Sequence, residues 1–381
     1  MTILHLSFDF PDIIHSSKTK AVKNLVNSQE KYDNLVISMN RTTDPSADYS
    51  PLFTDSCIAM RVFGMPFGIG LTTWMYFASK RVLRILRSNP QEVTLIHAHK
   101  LSFEGIIAFW LSKWLSVPFI VTIRGDSDLK VIKSKKMLRP FYKKILKKAS
   151  NVVFLAPWTK VQMDYYLKGL DLKNTGILLP NIIDLKQHII PENVKRKNRF
   201  ISVFRLDNYR RKNVKRVIKA FDRLHQNYPE VGLDILGPGP EKSRRIIQKF
   251  IDSCKYPLKF NILGPMGHDE LLNHYGNYMG FVLPSNPETF GMVFIEALNA
   301  GLPIIYAKNA GVDGLFDETK IGIKVKSTSV KEISDALKHI YLENQDYMKA
   351  VQTLKENNGL KVFSKINIRN AYVDILDKSI Y

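Results

Sequence analysis

Only two cysteines occur in the 381 residues, Cys57 and Cys254, almost two hundred positions apart. That scarcity excludes a disulfide framework and a thiolate metal cage, and it suits a reducing compartment. Long apolar runs are also missing. The stretch from Gly105 to Ile123 is broken by Lys113 and Pro118, and the uncharged stretch from Phe63 to Ser79 carries Gly64, Pro66, Gly68 and Gly70. Neither reaches the roughly 20 uninterrupted residues that a membrane span requires. The first reads as helix, turn and strand, the second as a loop leading into a helix. The opening residues MTILHLSFDF show no basic leader and no small-residue cleavage site, so a first strand is expected there and not a signal peptide. Low-complexity sequence is absent, and 45% hydrophobic residues suffice for a real core. At this length two domains are expected around such cores.

Acidic residues are the other shortage. They number 35 against 56 lysines and arginines, a net charge of +21, which implies an anionic partner: nucleic acid, anionic lipid or a phosphorylated substrate. The segment from Lys130 to Ser150 holds nine basic residues and no acidic one, with Val131, Ile132, Met137, Leu138, Phe141, Ile145 and Leu146 at near-helical spacing. Such an element suits an anionic membrane surface; the plainer alternative is a solvated basic helix on the first domain. Aromatic residues are not interleaved with that basic run, so no nucleic-acid partner is expected.

Strand-like and helix-like segments alternate along both halves. Ile3 to Phe8, Asn34 to Met39, Leu95 to Ala98, Pro118 to Ile123 and Asn151 to Leu155 read as strands in the first half, separated by helices. The polar stretch 186–199 interrupts the pattern, which restarts at Phe200 and continues through strands near Gly232, Lys259, Gly280 and Pro303. The fold class is therefore α/β, with two doubly wound, Rossmann-like parallel sheets in series and a cleft facing their strand ends. The expected divisions are a domain over 1–190, a second over 197–355, and a C-terminal helix over 356–381 packing back on the first.

The densest constellation is FVLPSNPETFGMVFIEALNAGLP, Phe281 to Pro303. A strand ends at Pro284-Ser285, a loop presents Glu288, and Thr289-Phe290-Gly291 leads into a helix carrying Glu296. Between the two carboxylates lies a helix N-terminus, whose unpaired N–H groups and positive dipole end suit a diphosphate. This pattern resembles the E-x7-E signature of glycosyltransferase family 4, the retaining GT-B group. Phe204-Arg205-Leu206 with Arg211-Lys212-Asn213 and Ala220-Phe221, then Leu236-Gly237-Pro238-Gly239, Ile262-Leu263-Gly264, and Val362-Phe363-Ser364 with Tyr372 are similar to further motifs of that family, in the same order.

The resemblance implies a GT-B architecture and a nucleotide-sugar donor. It gives Glu296 the ribose hydroxyls, Glu288 a hydroxyl of the donor sugar, and the backbone around Thr289, Phe290, Gly291, Met292 and Gly264 the sugar and phosphates. Arg205 and Lys212 are the cations expected to stabilise charge developing on the leaving diphosphate; Arg211 adjoins Lys212 and could share the role. Gly237-Pro-Gly239 reads as a tight turn without a ligand. The first half departs from the family, with Ser7-Phe8-Asp9-Phe10-Pro11-Asp12 in place of a glycine-rich loop and Arg124-Gly125 in place of His-Gly. Arg124 and His99 are candidates for the acceptor side or the cleft. His97 and His99 share one strand face, but a third metal ligand is not evident, and Asp126-Ser127-Asp128 resembles the D-x-D motif of a different fold. No cofactor and no divalent metal are expected. The resulting expectation is metal-independent, retaining transfer of a hexose-type sugar from a UDP or GDP donor to a glycan or lipid-pyrophosphate-linked acceptor. Surface polysaccharide assembly at the cytoplasmic membrane face is the expected setting; a GT-B phosphorylase or hydrolase acting on a nucleotide sugar, or a non-catalytic basic nucleic-acid-binding protein, is the alternative.

Overall fold

A computed structural model describes residues 1–88, 92–185, 196–317 and 319–380. The chain divides into two compact units: Met1–Ile182 together with the terminal helix Lys365–Ile380, and Ile183–Ser364. The division expected over 186–199 falls mostly on residues 186–195, outside the described residues. Helix Asn344–Glu356 and the turn Lys361–Phe363 belong with the second unit, so the terminal helix starts nine residues later than the sequence suggested.

In the first unit the strands are β1 (Thr2–Ser7), β2 (Asp33–Thr42), β3 (Leu52–Phe53), β4 (Ile58–Phe63), β5 (Val93–Ala98), β6 (Phe119–Ile123), β7 (Asn151–Phe154) and β8 (Ile177–Leu178). They lie in the order β3-β4-β2-β1-β5-β6-β7-β8, parallel except for the edge hairpin of β3 with β4. Every residue of β1 and β6 is buried, as expected for central parallel strands covered on both faces. Ile3, Leu95, Ile120 and Val153 form a core with Ile368, Tyr372, Ile375 and Leu376 of the terminal helix.

The second unit contains β9 (Arg199–Val203), β10 (Gly232–Leu236), β11 (Phe260–Leu263), β12 (Gly280–Val282), β13 (Ile304–Ala307) and β14 (Gly322–Val325), all parallel, in the order β11-β10-β9-β12-β13-β14. Renumbered from its first strand this is 3-2-1-4-5-6, the doubly wound order whose direction reverses between β9 and β12. Ligands in such sheets bind outside the strand C-termini at that reversal. Helix Val214–Leu224 covers one face because Val214, Val217, Ile218, Phe221 and Leu224 fall on one stripe.

Some local expectations need correction. The sequence reading assigns no element between Met39 and Phe63, where β3 and β4 form the hairpin at one side of the sheet. The basic segment is two helices, Asp126–Ser134 and Arg139–Lys148, joined by a turn at Lys136–Leu138. Aromatic rings nevertheless lie beside its cations in space: Lys144 lies 5.8 Å over Phe109 of the neighbouring helix Glu104–Leu115, on which Lys113 lies 5.8 Å over Trp110. Among the described residues no helix is long and apolar enough to cross a membrane.

Candidate functional site

The loops following β9 and β12 meet at the reversal point of the second sheet. After β9 the chain passes Arg205, makes a turn at Leu206–Asn208, and reaches Arg211, Lys212 and Asn213 before helix Val214–Leu224. After β12 it runs through Pro284 and Ser285 to Glu288. Arg211 binds the two loops together, its Nε donating to the Pro287 carbonyl (3.1 Å) while its own carbonyl accepts from Asn286 N–H (3.2 Å). Asn213 sits at positive φ (62°), and its side-chain amide donates to the carbonyls of Pro284 (3.1 Å) and Ser327 (2.6 Å). A short polar side chain that tolerates left-handed backbone is what this corner requires.

That frame places Lys212 against Glu288. Lys212 Nζ donates to Glu288 Oε2 at 2.5 Å, and the Ser285 hydroxyl donates to the same oxygen at 2.8 Å. Glu288 is buried, and its carbonyl accepts from Gly311 N–H (2.9 Å), so the loop is held at both ends. Gly291 caps helix Met292–Asn299 at φ 73°; a Cβ there would lie 2.6 Å from the Phe294 ring, so both the conformation and the space demand glycine. Phe290 is buried, packs its ring toward Phe363, and offers the site its backbone only. Thr289 is half-buried and Met292 exposed at the helix start.

Glu296 lies on the same helix, buried, with its carboxyl pushed above the usual range by burial, which the charge of His268 partly opposes. The Tyr275 hydroxyl is buried without a hydrogen-bond partner and feels the Glu296 charge. Gly264 follows β11 with open space where a side chain would stand. Arg205 is not drawn into this cluster: its side chain is 65% exposed and pairs with Asp207 at 3.3 Å. The Gly237-Pro-Gly239 turn is structural, since a Cβ on Gly237 would meet the Phe204 carbonyl at 2.0 Å and one on Gly239 the Leu206 side chain at 2.6 Å.

The first sheet also reverses direction, between β1 and β5, and a second polar cluster sits at those strand ends. Lys100 pairs with Asp9 at 2.6 Å, and Phe8 N–H donates to Glu104 Oε1 at 2.9 Å. Glu104 is fully buried with Oε2 unpartnered, and burial raises its carboxyl to about 8 despite the opposing charge of Lys100. Arg124 is buried and donates to Asn181 Oδ1 at 3.1 Å; its N–H donates to Asp128, whose other oxygen accepts from Ser102 N–H. Asp128 is thus a brace of this loop. Asp9 and Glu104 escaped the sequence reading as site residues because nothing local distinguishes them; only the pairing of β1 with β5 brings them together.

His99 needs a correction. It is wholly buried: its Nε2 lies 3.2 Å from His5 Nδ1, and its ring centroid lies 3.9 Å from that of His97, the two planes tilted by 32°. His97 in turn meets the hydroxyls of Tyr372 (2.7 Å) and Thr122 (2.8 Å). The third imidazole that sequence could not place is His5, which also reaches Asn34 at 2.9 Å. Burial holds all three below the ordinary histidine range, His5 at about 4, so they are neutral. The trio brings one ligand atom from each ring within 4.8 Å of the others, and His99 Nδ1 is buried without a hydrogen-bond partner.

A 3-2-1-4-5-6 sheet with a paired cation and carboxylate at its reversal, preceded in the chain by a second parallel-sheet unit, is the GT-B fold that the chain shares with solved glycosyltransferase structures. Residues 185–358 match the model of the family described as Glycosyl transferases group 1. The chain is similar to the alpha-monoglucosyldiacylglycerol synthase of Acholeplasma laidlawii, 24% identical over 331 residues and 79% of each protein. Sucrose-phosphate synthase from Thermosynechococcus elongatus shares the fold with a TM-score of 0.72, at 17% identity over 99% of this chain and 98% of that one. HepE of Anabaena, solved with UDP and glucose, gives 0.67 at 14% identity over 99% of each chain.

Proposed function

We propose that the protein transfers a hexose-type sugar, with retention, from a UDP- or GDP-sugar to a lipid-linked or glycan acceptor in the manner of family 4, without a divalent ion. The observation that carries this reading is the Lys212–Glu288 pair at the reversal of the second sheet, adjoining the helix that starts at Gly291. The first turn of that helix offers N–H groups and a positive dipole end to the donor phosphates. Glu288 takes a sugar hydroxyl, Glu296 the ribose, and Lys212 follows the negative charge onto the departing diphosphate, where a fixed ammonium in a partly dry site is worth most. Arg205, being exposed, would have to swing in on binding. In a retaining transfer the acceptor attacks from the face the nucleotide leaves, and the leaving phosphate takes its proton, so the protein need supply no nucleophile.

The polar cluster of Asp9, Lys100, Glu104 and Arg124 is proposed to contact the acceptor. A glycolipid product is named for the Acholeplasma relative and UDP with glucose for the HepE structure, which favours a UDP-glucose-type donor and a lipid-anchored acceptor. The charge of +21 supports a reading of peripheral attachment to the anionic cytoplasmic face of a membrane, and the proposed setting is bacterial surface glycan assembly. The test is release of nucleoside diphosphate from a panel of UDP- and GDP-sugars in EDTA, with lipid extracts, glycans or inorganic phosphate as acceptor. Release driven by a lipid or glycan supports the reading; release driven only by phosphate or water makes the enzyme a phosphorylase or hydrolase.

A further inference from the structure

One face of the N-terminal unit alternates aromatic rings with cations, and the segments that build it, 63–88, 105–125 and 129–163, contain no aspartate or glutamate. Helix Leu71–Ser88 turns Phe77, Lys80, Arg84 and Arg87 outward. Beside it Tyr76 stands edge-on to Trp110 (5.1 Å) and Trp114 (5.7 Å) of helix Glu104–Leu115, and Phe109 of that helix meets Phe141 (5.5 Å) of helix Arg139–Lys148. Lys80 caps Tyr76 at 4.8 Å, as Lys113 and Lys144 cap Trp110 and Phe109.

The loop before helix Leu71–Ser88 adds an apolar tip. Phe67 is 92% exposed and Ile69 57%; the Lys135 side chain lies against Gly68, and Met137, two residues further along the chain, is 93% exposed. Phe67 holds φ at 55°, a conformation costly for an aromatic residue, and buries nothing in return. An aromatic residue held at that cost in water, on a loop against which the Lys135 side chain rests two residues before the exposed Met137, has no purpose inside this unit.

We propose that this face inserts into a bilayer of anionic phospholipid. Phe67 and Met137 enter the acyl boundary, the tyrosine and tryptophan rings lie at headgroup level, and the lysines meet lipid phosphates. The inference rests on the peripheral-membrane reading above and adds that attachment is apolar as well as electrostatic. A nucleic acid would satisfy the cations but offers no apolar medium for Phe67, Ile69 and Met137; a bilayer offers both.

Flotation with vesicles of phosphatidylglycerol and phosphatidylcholine, at low salt and at about 1 M NaCl where screening falls to ~3 Å, tests this on the full chain. Wild type should float at low salt and in part at high salt. Phe67→Ser with Met137→Ser, both at exposed positions and checked for an unchanged melting temperature, should lose about tenfold in partitioning per substitution and all salt-resistant binding. If variant and wild type respond to salt alike, insertion is wrong while electrostatic attachment stands. If wild type floats with no anionic vesicle, both fail, and if an oligonucleotide strips it from vesicles at equimolar lipid phosphate, the face belongs to nucleic acid instead.

Discussion

Lys212 Nζ and Glu288 Oε2 form an ion pair at 2.5 Å across the two loops that flank the reversal of the second sheet, with the Ser285 hydroxyl on the same carboxylate oxygen. Each charge is mostly buried, so each depends on the other for its position as well as its solvation. Lys212→Ala is expected to lower kcat by about 10²-fold through lost stabilisation of the leaving diphosphate. It should also cost about 1–3 kcal/mol of stability by leaving Glu288 underpaired. Steady-state turnover beside urea unfolding separates the two effects, and intact kcat in a destabilised variant would reduce the pair to a structural tie.

Asn213 makes a sharper structural prediction, because it combines positive φ with two hydrogen bonds to carbonyls from separate loops. Asn213→Ala should lose about 2–3 kcal/mol, and Asn213→Gly about 1 kcal/mol less, since glycine relieves the backbone strain but not the orphaned carbonyls. Equal losses in denaturant unfolding would show that φ strain contributes nothing.

The turn at Gly291 is predicted to be intolerant of any side chain. Gly291→Ala brings a Cβ to 2.6 Å from the buried Phe294 ring at φ 73°. A loss of about 2 kcal/mol is expected, together with weaker donor binding, since the helix start shifts with it. Nucleotide affinity unchanged in this variant would argue against phosphate contact at the helix N-terminus.

How much of this was legible beforehand differs between the two units. In the second, Glu288, Gly291 and Glu296 sit within one strand-loop-helix segment, so short-range spacing carries the geometry, and the Arg211-Lys212-Asn213 run lies on the loop that the sheet order places opposite. In the first, the cluster of Asp9, Lys100, Glu104 and Arg124 is assembled by pairing strands almost a hundred residues apart, for which sequence offers no local mark. Arg205 differs again: its position after a strand suggests an inward cation, whereas its side chain here pairs with Asp207 and faces solvent. Asn213, named in the sequence only as part of a motif, proves to be the residue that ties three loops.

Buried titratable groups in the first unit set opposing pH trends. Glu104 has its carboxyl raised to about 8 from 4.5, so the native state keeps a proton the unfolded chain has released, and stability falls as pH rises across that window. His5, lowered to about 4 from 6.5, acts oppositely: the unfolded chain gains the proton first, so stability falls as pH drops from 6.5 toward 4. Each slope is at most about 1.4 kcal/mol per pH unit. Glu104→Gln should therefore unfold much like wild type near pH 5 and be relatively more stable by pH 8. A constant difference between the two proteins across that range would show that Glu104 ionises freely.

The most direct test of the central claim is calorimetric titration of UDP and GDP, in EDTA, into wild type and Glu296→Ala. The account predicts that one nucleotide binds wild type without metal and binds the variant about tenfold or more weakly, as expected when a buried carboxylate loses its ribose hydroxyls. Failure of both nucleotides to bind wild type, or equal binding to the variant, would contradict the assignment of the donor site to the reversal of the second sheet.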